Sequence, residues 1–283
     1  MKLYKLLFLL VFITFNLGIA QSHRFVYEYK MIPDLSKKDS VVTNFMNLDS
    51  NSKESNFYNA TKFEIDSIYK STNNLSQISK MKGYDQNLNY EIYKNYESNS
   101  MLFHTKFSNV DIEIIENDSP KWEIQNDIKI IGKWNCQKAV SNYKGRNWVA
   151  WFSMNIPISD GPYKFMGLPG LIIEIHDDGN NHSFNLIQIK KISIPNINRY
   201  KSIKRMNKMQ YDKLVENHVV SSADVSFVNV SPFDNKMTYF MKDGNYMNFD
   251  TSMFSSYAND PKKLSKIIYR MIRVTNNPIE LSK

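Results

Sequence analysis

The chain has 283 residues, 42% of them hydrophobic and 13% aromatic, enough apolar material for a packed core. It holds one cysteine, which excludes an intramolecular disulfide. Its formal net charge of +8 favours acidic surfaces, such as anionic lipid headgroups or polyanionic glycans, and does not identify nucleic acid.

Residues 1–20 read as a signal peptide. Lys2 and Lys5 precede the apolar run Leu6 to Phe15, and Gly18 and Ala20 put small residues at −3 and −1 before Gln21. The run is about ten residues, half of what a bilayer span needs. No later segment is apolar enough to cross a membrane. Cleavage lowers the charge by two, to +6, and leaves residues 21–283, read as a single domain because no repeat or low-complexity linker divides them. The expected location is the periplasm or the extracellular side of the envelope.

Strand signals dominate the mature chain. Phe25, Tyr27 and Tyr29 alternate on one face, and Val41 to Leu48 is β-prone. Asn56 to Lys70, with Phe57, Tyr58, Phe63, Ile65 and Ile68, reads as a short helix, and Ser71 to Asn87 as a polar loop. Strands are expected over Met101 to Phe107, Val110 to Glu116, Trp122 to Gln125 and Lys129 to Trp134. Arg146 to Phe152 is apolar on both faces and belongs inside the sheet. Leu171 to His176 and Ser183 to Lys191 form a hairpin around Asp177-Asp178-Gly179-Asn180-Asn181. Arg205 to His218 reads as a helix, Ala223 to Val230 and Met237 to Met241 as strands. Asp260 caps a last helix whose apolar stripe runs Leu264, Ile267, Ile268, Met271, Ile272.

Gly161 to Gly170 concentrates turn formers and large apolar groups. Pro169 fixes φ, so Leu168-Pro169-Gly170-Leu171 fits a type II turn with Gly170 at positive φ. Asp160-Gly161-Pro162 is a second turn. Tyr163, Phe165, Met166 and Leu168 are expected to plug into the core, which makes the loop either a structural closure or a binding loop.

Gly167-Leu168-Pro169-Gly170-Leu171-Ile172 resembles the hexapeptide that names the GLPGLI family. Cys136-Gln137-Lys138-Ala139, Gly145-Arg146, Ala150-Trp151, Ile156-Pro157-Ile158, Asp160-Gly161-Pro162 and Asn277-Pro278-Ile279-Glu280-Leu281 resemble its flanking motifs in order. The resemblance spans most of residues 21–283. It implies an exported protein of Gram-negative bacteria and carries over no catalytic or ligand residue. The family-motif residues singled out are Asp160, Gly161, Pro162, Phe165, Gly167, Leu168, Pro169, Gly170, Leu171 and Ile172.

Signals for chemistry are sparse. The chain has no HExxH, GxSxG or phosphate-cradling glycine loop. His176, Asp177, Asp178 and His182 surround one hairpin and suit either a metal or a solvated turn. Cys136 has no assignable base and reads as a buried apolar residue. The basic stretch from Lys190 to Lys208 suits either lipid headgroups or solvent. The expectation is therefore a mainly β fold with helices (α+β), a curved antiparallel sheet packed around one or more helices. No enzyme activity, cofactor or metal is expected. The expected role is a binding or assembly factor for an envelope protein, glycan or lipid. The alternative is a carrier that holds an apolar, lipid-like ligand on a concave sheet.

Overall fold

The computed structural model describes residues 22–72, 88–107, 110–197, 203–217, 225–230, 236–241, 246–250 and 279–281. The signal sequence, most of the 71–87 loop and the 260–273 helix expected above lie outside these residues.

Alternation in the first strand sets the pattern. In β1 (Ser22–Met31), Phe25, Tyr27, Tyr29 and Met31 are buried on one face. The chain continues through β2 (Val42–Ser50), β3 (Glu54–Asn59), helix α1 (Ala60–Thr72), β4 (Tyr90–Asn95), β5 (Ser100–Phe107) and β6 (Val110–Glu116) as an antiparallel meander. A second meander runs β7 (Glu123–Ile131), β8 (Trp134–Tyr143), β9 (Arg146–Ser153), β10 (Leu171–Asp177) and β11 (His182–Ile192). β1 pairs with β11, so the meanders share one twelve-stranded sheet. A short strand, β12 (Lys204–Met206), adds parallel to β6, and helix α2 (Lys208–Asn217) follows. A three-stranded antiparallel sheet comprises β13 (Val225–Val230), β14 (Lys236–Met241) and β15 (Tyr246–Asp250).

The large sheet is strongly curled. In its strand order β6 and β7 lie ten positions apart, about 48 Å if flat at about 4.8 Å per strand. Yet they are consecutive in the chain, joined by Asn117 to Trp122, which spans at most about 25 Å. An ion pair confirms the closure: Lys144 Nζ, in the β8–β9 turn, lies 3.5 Å from Glu116 Oε2 at the end of β6. The sheet stays open, because no ladder joins β12 to β7.

The inner face carries the core. Met46, Leu48, Phe57, Ile92, Trp148, Ala150, Ile175 and Phe184 are fully buried there. The 154–170 connection between β9 and β10 folds back onto this face instead of running over the surface. At the β6–β12 margin, Tyr211 and Leu214 of α2 pack on Ile112, Ile114 and Met206. Helix α1 lies on the outer face, where the Phe63 ring packs at a tilt against Tyr58, centroids 5.1 Å apart.

Three expected boundaries are corrected. Asn56 to Lys70 is a strand followed by a helix: Phe57 points in, Tyr58 points out, and the Asn59 side chain accepts the Lys62 N–H to start α1. Arg205 to His218 splits likewise, with Asn207 and Gln210 exchanging side-chain and backbone hydrogen bonds as a capping box. Glu123 to Gln125 and Lys129 to Ile131 belong to one strand, β7, whereas Trp134 opens β8. The turn to β8 comes at Gly132, whose φ is 58°.

Candidate functional site

The motif loop is a plug held by aromatic packing and two buried ionic nodes. Phe165 is 0% exposed, and its ring lies 4.6 Å from Trp148, 6.2 Å from Tyr143 and 6.4 Å from Phe184. Leu168 is 1% exposed, and the indole of Trp122 donates to the carbonyl of Met166. The loop's backbone is satisfied internally: Gly167 N bonds Ser159 O, and Leu171 N and Ile172 N bond Ile156 O and Asp160 O.

Asp160 is the first node. Its Oδ1 accepts from Lys94 Nζ at 2.6 Å and from the Gly161 N–H at 2.7 Å. Its Oδ2 accepts from Ser55 Oγ at 2.6 Å and Tyr96 OH at 2.8 Å. Both ends of the Lys94–Asp160 pair are 0% exposed. Burial pushes the Lys94 amine down from its ordinary value, against the pull of Asp160. Burial also pushes the Tyr96 phenol far up, with Asp160 adding to it. Lys94 donates once more, to Gly161 O at 2.7 Å.

Lys164 is the second node. It donates to Glu116 and to Glu280, the latter at 2.6 Å, beneath the rings of Phe103 and Tyr163. Tyr163 OH also donates to Glu280 at 2.7 Å, and Leu281 N bonds Lys144 O. Residues 279–281 are thereby locked onto the plug. Burial alone would raise the Glu280 carboxyl, but Lys164 beside it brings it below its ordinary value. Tyr163 sits at φ 50°, a left-handed conformation that is strained for a bulky residue.

The glycines of the loop act differently from the expected pattern. The positive φ falls on Gly167, at 99°, and not on Gly170. Gly170 is required by proximity: a Cβ there would stand 2.3 Å from Ser153 O. A Cβ on Gly161 would meet Ile172 at 2.7 Å. Pro162 and Pro169 flank these close approaches, and Leu171 and Ile172 are fully buried where β10 begins. Eight of the ten motif residues are buried, and Gly167 and Pro169 are exposed.

The histidine–aspartate hairpin is likewise committed to structure. Asp177 Oδ2 pairs with Arg146 at 2.8 Å, and its Oδ1 accepts the His182 N–H. His182 Nδ1 lies 2.7 Å from Tyr29 OH. Among the described residues no three His, Cys, Asp or Glu side chains gather as a metal site. Cys136 is 1% exposed, and burial pushes its thiol up, which favours an inert thiol.

A feature that the sequence does not signal lies on the outer face of β3–β6. A polar groove of about 250 Å³ opens there, lined by Asn56, Glu91, Tyr93, Leu102, His104 and Glu113, with Arg205 of β12 at its rim. Pairing register creates it: Glu91 opposes His104, and His104 opposes Glu113 across three adjacent strands. Asn56 Nδ2 donates to Glu91 at 2.7 Å, and Arg205 Nε to Glu113 at 2.9 Å. Burial lowers the His104 imidazole below its ordinary value, opposed by Glu91 and Asp111. His104 is visible in the sequence as a residue, but its partners depend on strand register.

A family model described as a protein of unknown function (Porph_ging) matches residues 142–174, from the end of β8 through the plug into β10. No curated protein matches the chain significantly. Two solved structures, of PNGF-II in C2 and in P21 space groups, are similar with TM-scores of 0.51 and 0.50. Each is 12% identical and aligns over 78% of this chain and 40% of that chain. At that identity the likeness is one of fold, and this chain spans under half of theirs.

Proposed function

We propose that the chain is an exported member of the GLPGLI family that acts as a non-enzymatic binding or assembly factor in the cell envelope. The match over residues 142–174 includes the hexapeptide and supports the family reading. One observation carries the functional reading: the ionisable groups of the motif face inward and bind each other. Asp160 has four donors, and Lys164 is held between two glutamates. A catalytic loop needs a base, acid or nucleophile within reach of a substrate; these groups are buried. The loop's role is to hold a curled sheet rigid so that its outer surface can meet a partner. A carrier of an apolar ligand draws no support from the inner face, where Phe165, Met166 and Leu168 fill the space.

The test is purification from the native envelope with intact-mass analysis. The expected result is a mature chain beginning at Gln21 that co-elutes stoichiometrically with a defined protein or glycan. A lone chain starting at Met1, or one that turns over a substrate, would defeat the proposal.

A further inference from the structure

We infer that the outer groove of β3–β6 is a saccharide-binding site, an inference that deepens the binding reading above and rests on it. The groove's chemistry excludes the simpler ligands. An apolar ligand finds only Leu102 and the ring of Tyr93. An inorganic anion would face Glu91 and Glu113, with the guanidinium of Arg205 already on Glu113. No three-ligand metal cluster occurs among the described residues.

What the groove offers is a set of planar polar groups in fixed positions. Glu91, held by Asn56, and Glu113, held by Arg205, present carboxylate oxygens as acceptors. Asn95 brings an amide, and Ser98 and Ser100, whose hydroxyls lie 2.8 Å apart, bring groups that both donate and accept. Sugar hydroxyls are donors and acceptors at once, so they match such a mixed set better than an ion does. His104 is 6% exposed and Glu113 8%, so hydrogen bonds made against this floor are shielded from water.

Tyr93 and Leu102 are cross-strand partners on the same face and give the apolar patch that the C–H face of a pyranose needs. Tyr93 is fixed by its hydroxyl, which donates to Glu54 at 2.5 Å. The volume of about 250 Å³ equals about eight waters at about 30 Å³ each, room for one sugar ring. A single ring in an open groove points to the terminal unit of a longer glycan.

The test is a glycan array carrying neutral and acidic oligosaccharides, probed with the mature chain and followed by calorimetric titration of the best ligand. Ser100→Trp fills the groove and Glu91→Gln changes one acceptor; each should weaken binding at least tenfold. Their melting temperatures should stay within about 2 °C of wild type. If Ser100→Trp misfolds, Ser98→Trp on the exposed turn replaces it. Retention of no oligosaccharide, binding undiminished in the filled variant, or spermidine binding in place of sugar would each overturn the assignment. Capture of an envelope partner by a wild-type chain that binds no oligosaccharide would refute the groove and leave the wider binding reading standing. Failure of wild type to bind either an envelope partner or an oligosaccharide would refute both.

Discussion

Replacing Asp160 by Ala tests the ionic node that anchors the plug. The substitution removes a carboxylate that accepts four hydrogen bonds and leaves Lys94, itself 0% exposed, with no counter-charge. Gly161 O remains an acceptor for the ammonium but carries no charge. Breaking one side of a buried pair costs about 3–5 kcal/mol, whereas replacing both sides by neutral groups is often tolerated. For a protein of about this size each kcal/mol lowers Tm by about 2–4 °C, so Asp160→Ala should lose about 6–20 °C. Lys94→Met combined with Asp160→Ala should recover much of that loss, because the stranded charge is gone. Thermal unfolding by circular dichroism for both single variants and the double variant reads the coupling directly. A single-variant loss below about 1 kcal/mol, or strictly additive effects, would refute the anchoring role.

Phe165→Ala should destabilise by about 3–5 kcal/mol in urea unfolding, since the ring is wholly buried among aromatics. Gly170→Ala should cost more than Gly167→Ala in the same assay. The first forces a backbone clash with Ser153, whereas the second bears chiefly the positive-φ penalty of about 1 kcal/mol. His104 titrates below its ordinary 6.5 in the fold, so the unfolded chain takes up its proton first. Its contribution to stability is full above pH 6.5 and declines as pH falls from 6.5 towards the folded value. His104→Gln should flatten the urea midpoint across that window. Glu280, whose folded value is lowered, contributes stability above 4.5 that is lost as pH falls through the folded value. Glu280→Gln should therefore reduce stability at neutral pH and remove part of the acid loss.

Much of the sheet is legible locally. Phe25, Tyr27 and Tyr29 alternate because one face is buried. In Arg146 to Phe152, Trp148, Ala150 and Phe152 lie on the buried face, whereas Val149 and Trp151 are half-buried on the other, Trp151 under the Lys129 ammonium. The burial of Phe165 and Leu168 is readable from large apolar groups stranded on a loop. The rest needs distance information. Asp160 reads as a solitary carboxylate until curling brings Lys94, 66 residues away, to 2.6 Å. Lys94 itself sits in a polar stretch and looks like a solvated residue. Gly170 suggests a dihedral role, but its constraint comes from a neighbouring strand's carbonyl, which no local pattern encodes. The groove depends on the register of β4, β5 and β6, which sets Glu91, His104 and Glu113 in one row.

The seam between β1 and β11 bears on how the chain reaches this state. Every other ladder of the large sheet except β12–β6 joins strands consecutive in sequence, so each meander can form by local closures. The seam pairs Ser22 with Ile192, a contact that must wait for nearly the whole of both meanders. Such a non-local pairing is the slow step of a sheet protein's folding. If the chain emerges from its amino end, β1 stands as a bare edge, with Phe25, Tyr27 and Tyr29 unburied, until β11 arrives. Unpaired edges of this kind invite pairing with other chains. Refolding should therefore show early β structure and then a slow phase, with aggregation rising with concentration during the interval between them.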